Sequence, residues 1–264
     1  MEITVKNRLI FSFAGMFCLF TSIFYGLPVL NPGAPALLTE GMVWAERGDC
    51  WGVKVGYRGD FVYNKLFKDL LSDSINQFGI YNNEGVLTLN LWNRIDIYGY
   101  VGASNIDFRM IAEDSGENLI VSTRTRTVGG VGIKAILWQS VWDCYGTSYI
   151  GIDGQYEWTD RFPWSRGTLS GAELNVGAFS SKFEEGQIAV GVGHKIHFFV
   201  PYIAVRWSTA KSPFVYFETD TMKSRRHFGY AVGASIVDIG SVNVTAEARF
   251  LTETALSLCA DIRF

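Results

Sequence analysis

The sequence has little of what several protein classes require. It has no run of basic residues and its formal net charge is −3, which excludes the charge balance of a nucleic-acid-binding protein. Only one stretch is long and apolar enough for a membrane helix, which excludes a bundle of membrane helices. Histidine is rare, and His194 and His197 lie three positions apart, a spacing that places them on opposite faces of a strand. We therefore predict no metal site and no cofactor.

Cysteine is sparse as well. Of the four cysteines, Cys18 falls in the apolar N-terminal stretch, which leaves Cys50, Cys144 and Cys259. An odd number of cysteines in an exported chain means that at least one thiol stays free or pairs with another molecule.

The one long apolar stretch lies near the N-terminus and indicates export. It follows two basic residues and carries no charge from Leu9 to about Leu30. A basic region followed by an apolar region is typical of a secretory signal peptide, although the stretch also approaches the roughly 20 residues of a membrane anchor. We place the signal peptide at residues 1–26, with Ala34-Pro35-Ala36 as a formal alternative cleavage site.

The rest of the chain divides into two parts. Residues 27–49 are rich in proline, and we predict that they are irregular and periplasmic. In residues 50–264, segments of roughly ten residues alternate in polarity and are separated by clusters of Gly, Ser, Asn and Asp. Many such segments without an intervening helix predict an all-β sandwich or barrel.

The C-terminal strand decides between these two folds. Its apolar residues alternate with polar ones, and the chain stops at Phe264. Such a strand resembles the signal that the outer-membrane barrel assembly machinery reads, here Leu258, Ala260, Ile262 and Phe264. Aromatic residues near many segment ends are typical of the girdles of a membrane barrel. We therefore predict a transmembrane antiparallel β-barrel in a Gram-negative outer membrane, with membrane lipid and the assembly machinery as partners.

The number of strands is less well determined. Thirteen segments of the sequence fit the strand pattern, whereas single-chain bacterial barrels favour even numbers. We expect about 12 strands, within a range of about 10–14.

One face of each predicted strand lines the barrel interior and carries charge. The residues predicted to line a pore are Lys54, Arg58, Arg94, Asp96, Lys134, Arg206, Glu247, Arg249, Asp261 and Arg263. Two interpretations follow, a narrow hydrated pore whose charges tune selectivity, or charges that pair across the lumen and block it. No catalytic residue is predicted, because a hydrolase needs a serine, a histidine and a third group together, and His227 near Ser224 is the nearest approach.

An ordered series of short tracts resembles the chlamydial major outer membrane protein family of porins. The tracts are LPV at residues 27–29, GYRGDFVY at 56–63, LNLWNRID at 89–96, PYI at 201–203, MKSRR at 222–226 and VTAEAR at 244–249, and the chain closes on Arg263-Phe264. They run in order along the chain, which is markedly shorter than the usual members of that family.

The resemblance implies a general diffusion porin for small hydrophilic solutes and ions. Members of the family are commonly trimeric, serve as structural elements of the envelope, and are joined to other envelope proteins by disulfide bonds. Cys50 and Cys144 are the candidates for such bonds, whereas we expect Cys259 to point into the lumen beside Asp261 and to stay free. The alternative is a structural or adhesin-like surface barrel with an occluded lumen.

Overall fold

A computed structural model describes residues 27–42, 50–68, 75–111, 118–142, 145–176, 180–213, 221–238 and 241–264. The predicted signal peptide, residues 1–26, and the candidate disulfide residue Cys144 lie outside these ranges. Within the described part of the chain, no helix is long and apolar enough to cross a membrane. The only regular helical element in the same ranges is a short 3-10 turn, Ala34–Ala36.

Ten strands of the described residues close into a ring. In chain order they are β1 (Trp51–Lys65), β3 (Ile75–Leu91), β4 (Ile95–Ile111), β6 (Arg126–Trp142), β7 (Gly146–Thr159), β11 (Glu184–Lys195), β12 (Phe199–Pro213), β14 (Phe228–Asp238), β15 (Val242–Phe250) and β16 (Glu253–Arg263). Every neighbouring pair is antiparallel, and the ring closes where β1 pairs with β16, with Lys54 opposite Arg263. The predicted antiparallel β-barrel is confirmed.

Ten ring strands is the lower limit of the predicted range. Three of the thirteen predicted segments lie at residues 119–128, 169–180 and 213–220. The first overlaps the ring only at residues 126–128, the start of β6, the second contributes no strand to it, and most of the third lies outside the described residues. The additional strands are short: β2 (Phe67–Lys68), β5 (Asn118–Thr123), β8 (Phe162–Leu169), β9 (Ala172–Glu173), β10 (Ser180–Ser181) and β13 (Thr221–Ser224). They extend the sheet at the end with the long connections, which in bacterial barrels is the extracellular end.

Short turns mark the opposite, periplasmic end. Between β3 and β4 the turn holds only Trp92, Asn93 and Arg94, and between β11 and β12 only residues 196–198. Trp92 and Asn93 both have φ of +53°, the left-handed conformation that tight hairpin turns require. The chain terminus Phe264 lies at this same end, where its amide donates to the carbonyl of Val53 at 2.8 Å.

The strands alternate between an apolar outer face and a polar inner face, with irregularities in β1 between Val62 and Asn64 and in β6 between Ile136 and Trp138. On β11, for example, Ile188, Val190 and Val192 are exposed, whereas Glu185 and Gln187 are buried. Large apolar residues that face outward along other strands include Val55, Leu87, Ile97, Val131, Ile133, Ile203, Val205, Val244 and Leu258. Such an apolar band on the outside of a closed barrel is the surface that a bilayer covers.

Aromatic residues lie above and below this band. Trp51, Trp92, Trp142 and Phe198 are exposed at the periplasmic end. Tyr57, Tyr63, Trp158, Phe228 and Tyr230 are exposed towards the other end. The two sets correspond to the aromatic girdles of membrane barrels.

Candidate functional site: the barrel interior

Nine of the ten residues predicted to line the lumen face the interior. Eight of them are buried, namely Lys54, Arg58, Asp96, Lys134, Arg206, Glu247, Arg249 and Arg263. The ninth, Asp261, lines an interior cavity of about 50 Å³. The exception is Arg94, which is exposed in the turn between β3 and β4. The prediction for Arg94 was wrong because strand alternation stops at Leu91 and resumes only at Ile95.

Two clusters of ion pairs lie inside the barrel, the first towards the extracellular ends of β1 and β16 and the second nearer mid-height. In the first, Lys65 contacts Glu185 at 2.5 Å and Glu253 at 2.8 Å, and Arg249 contacts Glu253 and Asp60 at 2.7 Å each. All five side chains are almost completely buried. Because an unpaired charge in such a place is strongly unfavourable, each member depends on the others.

The second cluster is centred on Arg58. Its guanidinium pairs with Glu84, lies 3.5 Å from the carboxylate of Glu157, and stacks 3.8 Å above the ring of Tyr100. On the periplasmic side of these clusters, Lys54 pairs with Asp96 at 2.8 Å. The sequence predicts that these strands present charges inward, but Glu84, Glu157 and Glu185 were not among the predicted residues. Each occupies an inward position of its strand, so the alternation could have identified them.

The periplasmic half of the interior is occupied by residues 27–38, which we call the inner segment. This differs from the prediction that residues 27–49 lie in the periplasm. The segment is irregular, as predicted, apart from the 3-10 turn at Ala34–Ala36. The chain leaves the barrel near the end of β16, where the amide of Met42 donates to the carbonyl of Arg263 at 2.9 Å.

Wall residues bind the main chain of the inner segment. Glu247 accepts the amides of Val29 at 2.9 Å and Leu30 at 2.7 Å. Lys134 donates to the carbonyl of Val29 at 2.7 Å, and Lys54 donates to that of Ala34 at 3.1 Å. Further donations to segment carbonyls come from Arg206 to Leu27, Gln155 to Pro28, Asn90 to Pro35 and Arg263 to Leu38.

Apolar contacts also hold the inner segment against the wall. Leu37 and Leu38 are buried in a cluster with Ile136, Tyr149, Val200 and Val237, which also face inward near the periplasmic end. Val29 packs in a second cluster against Ala189, Ala204 and Ala231. The small side chains of that cluster leave room for the segment against the wall.

The extracellular end of the interior is closed by a different arrangement. One buried apolar cluster fills this end. Its aromatic members are Phe67, Phe78, Phe108, Phe162, Trp164 and Phe183, and its other members are Val62, Ile80, Ile106, Val121, Ala210, Met222 and Ala255. Phe67 and Phe78 have ring centroids 4.6 Å apart, and Phe108 meets Trp164 edge-on at 5.7 Å. The cluster joins the upper ends of the ring strands to the short additional strands.

A serine and a histidine meet outside the interior. Ser148 Oγ lies 2.9 Å from Nδ1 of His194, whose Nε2 lies 2.8 Å from the carbonyl of Tyr145. Because a carbonyl can only accept, Nε2 carries the proton and Ser148 donates to Nδ1. In a catalytic triad a carboxylate orients the imidazole, and here a main-chain carbonyl occupies that place. Within the described residues, no group of three or more His, Cys, Asp or Glu is arranged to hold a metal.

The two described cysteines differ in environment. Cys50 is exposed before β1, and Cys259 is buried with its sulfur 3.6 Å from both carboxylate oxygens of Asp261. Both are free within the described part of the chain. Cys259 points into the lumen beside Asp261, as predicted, whereas the disulfide role of Cys50 and Cys144 stays a prediction.

Comparison with known proteins finds similarity to one group of porins. The profile of a family described as Chlamydia major outer membrane protein matches residues 212–264. The major outer membrane porin of Chlamydia abortus is 22% identical over an alignment that covers 100% of both chains. The serovar E major outer membrane porin of Chlamydia trachomatis is also 22% identical and covers 90% of this chain and 94% of its own. Among solved structures, the outer membrane protease OmpT from Escherichia coli matches 81% of this chain and 96% of its own at 10% identity, with a TM-score of 0.39.

The predicted resemblance is therefore confirmed over the whole chain, at low identity. The alignment with the Chlamydia abortus protein runs over 398 positions for 264 residues, so 134 positions are gaps in this chain. This is the expected result for a shortened relative.

Proposed function

We propose that this chain, an outer-membrane β-barrel related to the chlamydial major outer membrane porins, is a porin for small hydrophilic solutes. The observation that carries the proposal is the similarity over the full chain to proteins that bear the name porin. The charged inner face of the ring supports it, since a polar lumen beneath an apolar outer face is the arrangement of a water-filled channel.

In the described conformation the interior is filled. The inner segment occupies its periplasmic half, ion pairs lie from mid-height towards the extracellular side, and the aromatic cluster closes its extracellular end. Conduction therefore requires parts of this filling to move. The same observation favours a second candidate function, a structural or adhesin-like surface barrel whose lumen stays occluded.

We further propose that the chain is not an enzyme. The Ser148–His194 pair supports this, because its imidazole is oriented by the carbonyl of Tyr145 and not by a carboxylate. The buried carboxylates of the interior, such as Glu185 and Glu253, are engaged by Lys65 in ion pairs.

Conductance of the refolded protein in a planar bilayer tests the porin function. We expect discrete current steps and, in liposomes, swelling rates that fall as the sugar becomes larger. A correctly folded barrel, verified by its heat-modifiable mobility on electrophoresis, that shows neither steps nor swelling would establish the occluded structural barrel instead.

A matched pair of substitutions tests whether current passes through the charged interior. We expect Arg58→Met, in the middle of the lumen, to change the reversal potential in a KCl gradient. Lys211→Met is the control, because Lys211 is exposed at the extracellular rim beside Glu184. Equal reversal potentials in both variants would show that ions do not pass Arg58.

The family relationship also suggests a structural contribution to the envelope, assembly as a trimer, and disulfide links to other envelope proteins. We propose these roles together with Cys50 as an accessible linking residue, since its side chain is exposed. Electrophoresis of outer membranes with and without reductant checks them, and a single monomeric band in both conditions would count against the links.

A further inference from the structure

We propose that the inner segment is the gate of this barrel. The interior wall is a binding site for the main chain of residues 27–38, and solutes pass only when the segment leaves through the periplasmic mouth. This inference rests on the porin function proposed above and names how that function is regulated.

The wall holds the segment through main-chain groups, which suits a ligand that enters and leaves. Glu247 accepts two of its amides, and Lys134 and Lys54 donate to two of its carbonyls. The side chains of residues 27–38 carry no charge, so withdrawing them breaks no ion pair between side chains. Water can replace each of these hydrogen bonds, and their net contribution to binding is therefore small compared with their number.

Asn31 anchors the centre of the segment. Its side-chain amide donates to the hydroxyl of Ser235 at 3.0 Å and to the carbonyl of Val200 at 3.2 Å. Its side-chain oxygen accepts the amide of Gly33 at 2.9 Å, which fixes the turn that follows. Asn31 is therefore the side chain of the segment that the wall binds through hydrogen bonds.

The backbone of the segment favours reversible release. Leu30 has φ of +55°, a left-handed conformation that costs a residue with a side chain free energy, and it keeps this conformation while Glu247 holds its amide. Pro28, Pro32 and Pro35 restrict the released chain, so less conformational entropy is lost when it binds again. The exit is also direct, because the chain already emerges at the periplasmic end beside Arg263.

A reversible cross-link tests the gate. A side chain added at Gly193 of β11 would place its Cβ 3.3 Å from Oδ1 of Asn31 and 3.4 Å from Cβ of Tyr202, so the cysteine pair N31C/G193C brings two thiols together after a shift of a few tenths of an ångström. The background is a protein in which Cys18, Cys50 and Cys144 are replaced by serine. The remaining native thiol, Cys259, lines the cavity together with Leu30 and Asn31 and serves as the probe.

Two readouts are compared in the oxidised and reduced states, labelling of Cys259 by a hydrophilic maleimide and single-channel current. We expect oxidation to lower both at least tenfold and dithiothreitol to restore both. The single variants N31C and G193C should not respond, and peptide mapping verifies the 31–193 bond. Glu247→Gln should increase labelling without any cross-link, whereas Lys211→Met should leave it unchanged.

The outcomes separate the gate from the porin function. Labelling that oxidation suppresses, without current in either state, would support the gate and overturn the porin function. Current that flows equally in the oxidised and reduced states would overturn the gate and keep the porin function. Labelling that is absent in both states would show that the segment never leaves, which also overturns the gate.

Discussion

Asp60 of β1 and Arg249 of β15 form an ion pair of 2.7 Å inside the barrel, with both side chains buried. Their strands are not neighbours, because β16 lies between them. Ser257 of that middle strand also donates to Asp60 at 2.6 Å. The pair thus ties three strands together on both sides of the ring closure.

We predict that Arg249→Met destabilises the barrel by about 3–5 kcal/mol, because it leaves the buried Asp60 without its cation and removes one of the cations that contact Glu253. Unfolding by urea in lipid vesicles, followed by tryptophan fluorescence, measures the loss. The double variant D60N/R249M should recover part of it. A matching substitution of the exposed Lys211, whose partner is Glu184, should cause little change, and an equal loss there would contradict the assignment.

A charge on the outer face should cost stability according to its depth in the membrane. Val190 lies midway along β11 and faces outward, whereas Val141 faces outward near the periplasmic end of β6. We expect Val190→Arg to lower the unfolding free energy by about 2–4 kcal/mol and Val141→Arg by less than about 1 kcal/mol. The same urea titration measures both. Similar costs at the two positions would place the apolar band elsewhere on the barrel.

The terminal strand should matter more for insertion in cells than for stability. Its outward residues Leu258, Ala260, Ile262 and Phe264 are the predicted recognition signal of the assembly machinery. Deleting Phe264 removes the terminal residue of this signal together with its hydrogen bond to the carbonyl of Val53. We expect the variant to refold in lipid vesicles but to fall several-fold in surface-accessible amount in expressing cells. Normal insertion in cells would show that the machinery does not read this residue.

The two described cysteines should react at very different rates. In the folded C144S protein we expect a maleimide to modify the exposed Cys50 at least tenfold faster than the buried Cys259. Cys259 is 3% exposed, so the reagent reaches its sulfur only rarely. Mass spectrometry of timed samples gives the two rates, and urea-unfolded protein, in which both should react alike, is the control.

The features that repeat along the chain could be predicted from the sequence. Alternation with a period of two identifies which face of each strand is polar, and nine of the ten predicted lumen residues face inward for that reason. Arg94 fails because the alternation gives no warning of the three-residue turn. The number of ring strands was harder to predict. A segment such as 119–128 has the same alternating pattern whether its strand belongs to the ring or lies beyond the ring at the extracellular end.

The filling of the interior could not be predicted in the same way. The contact between Arg206 and Leu27 joins residues 179 positions apart, and Lys134 reaches Val29 across 105 positions. The sequence of residues 27–38 does not indicate these partners, because the segment has neither a periodic pattern nor a charged side chain. The partners of the ion pairs could not be predicted either. Alternation predicts that a charge faces inward, but not which strand supplies the opposite charge.

The seam between β1 and β16 imposes an order on folding. Its contacts join the two ends of the barrel sequence, and Arg263 at the end of the last strand also reaches Leu38, 225 positions away. Loop closure over such distances is slow, so the seam should form last, after the other strands have paired. A chain that lacks its final strand would therefore be an open, curved sheet. Both of its edge strands would have unpaired main-chain groups and would be prone to aggregation. Closure of the barrel around its N-terminal segment therefore depends on β16, the ring strand that is synthesised last.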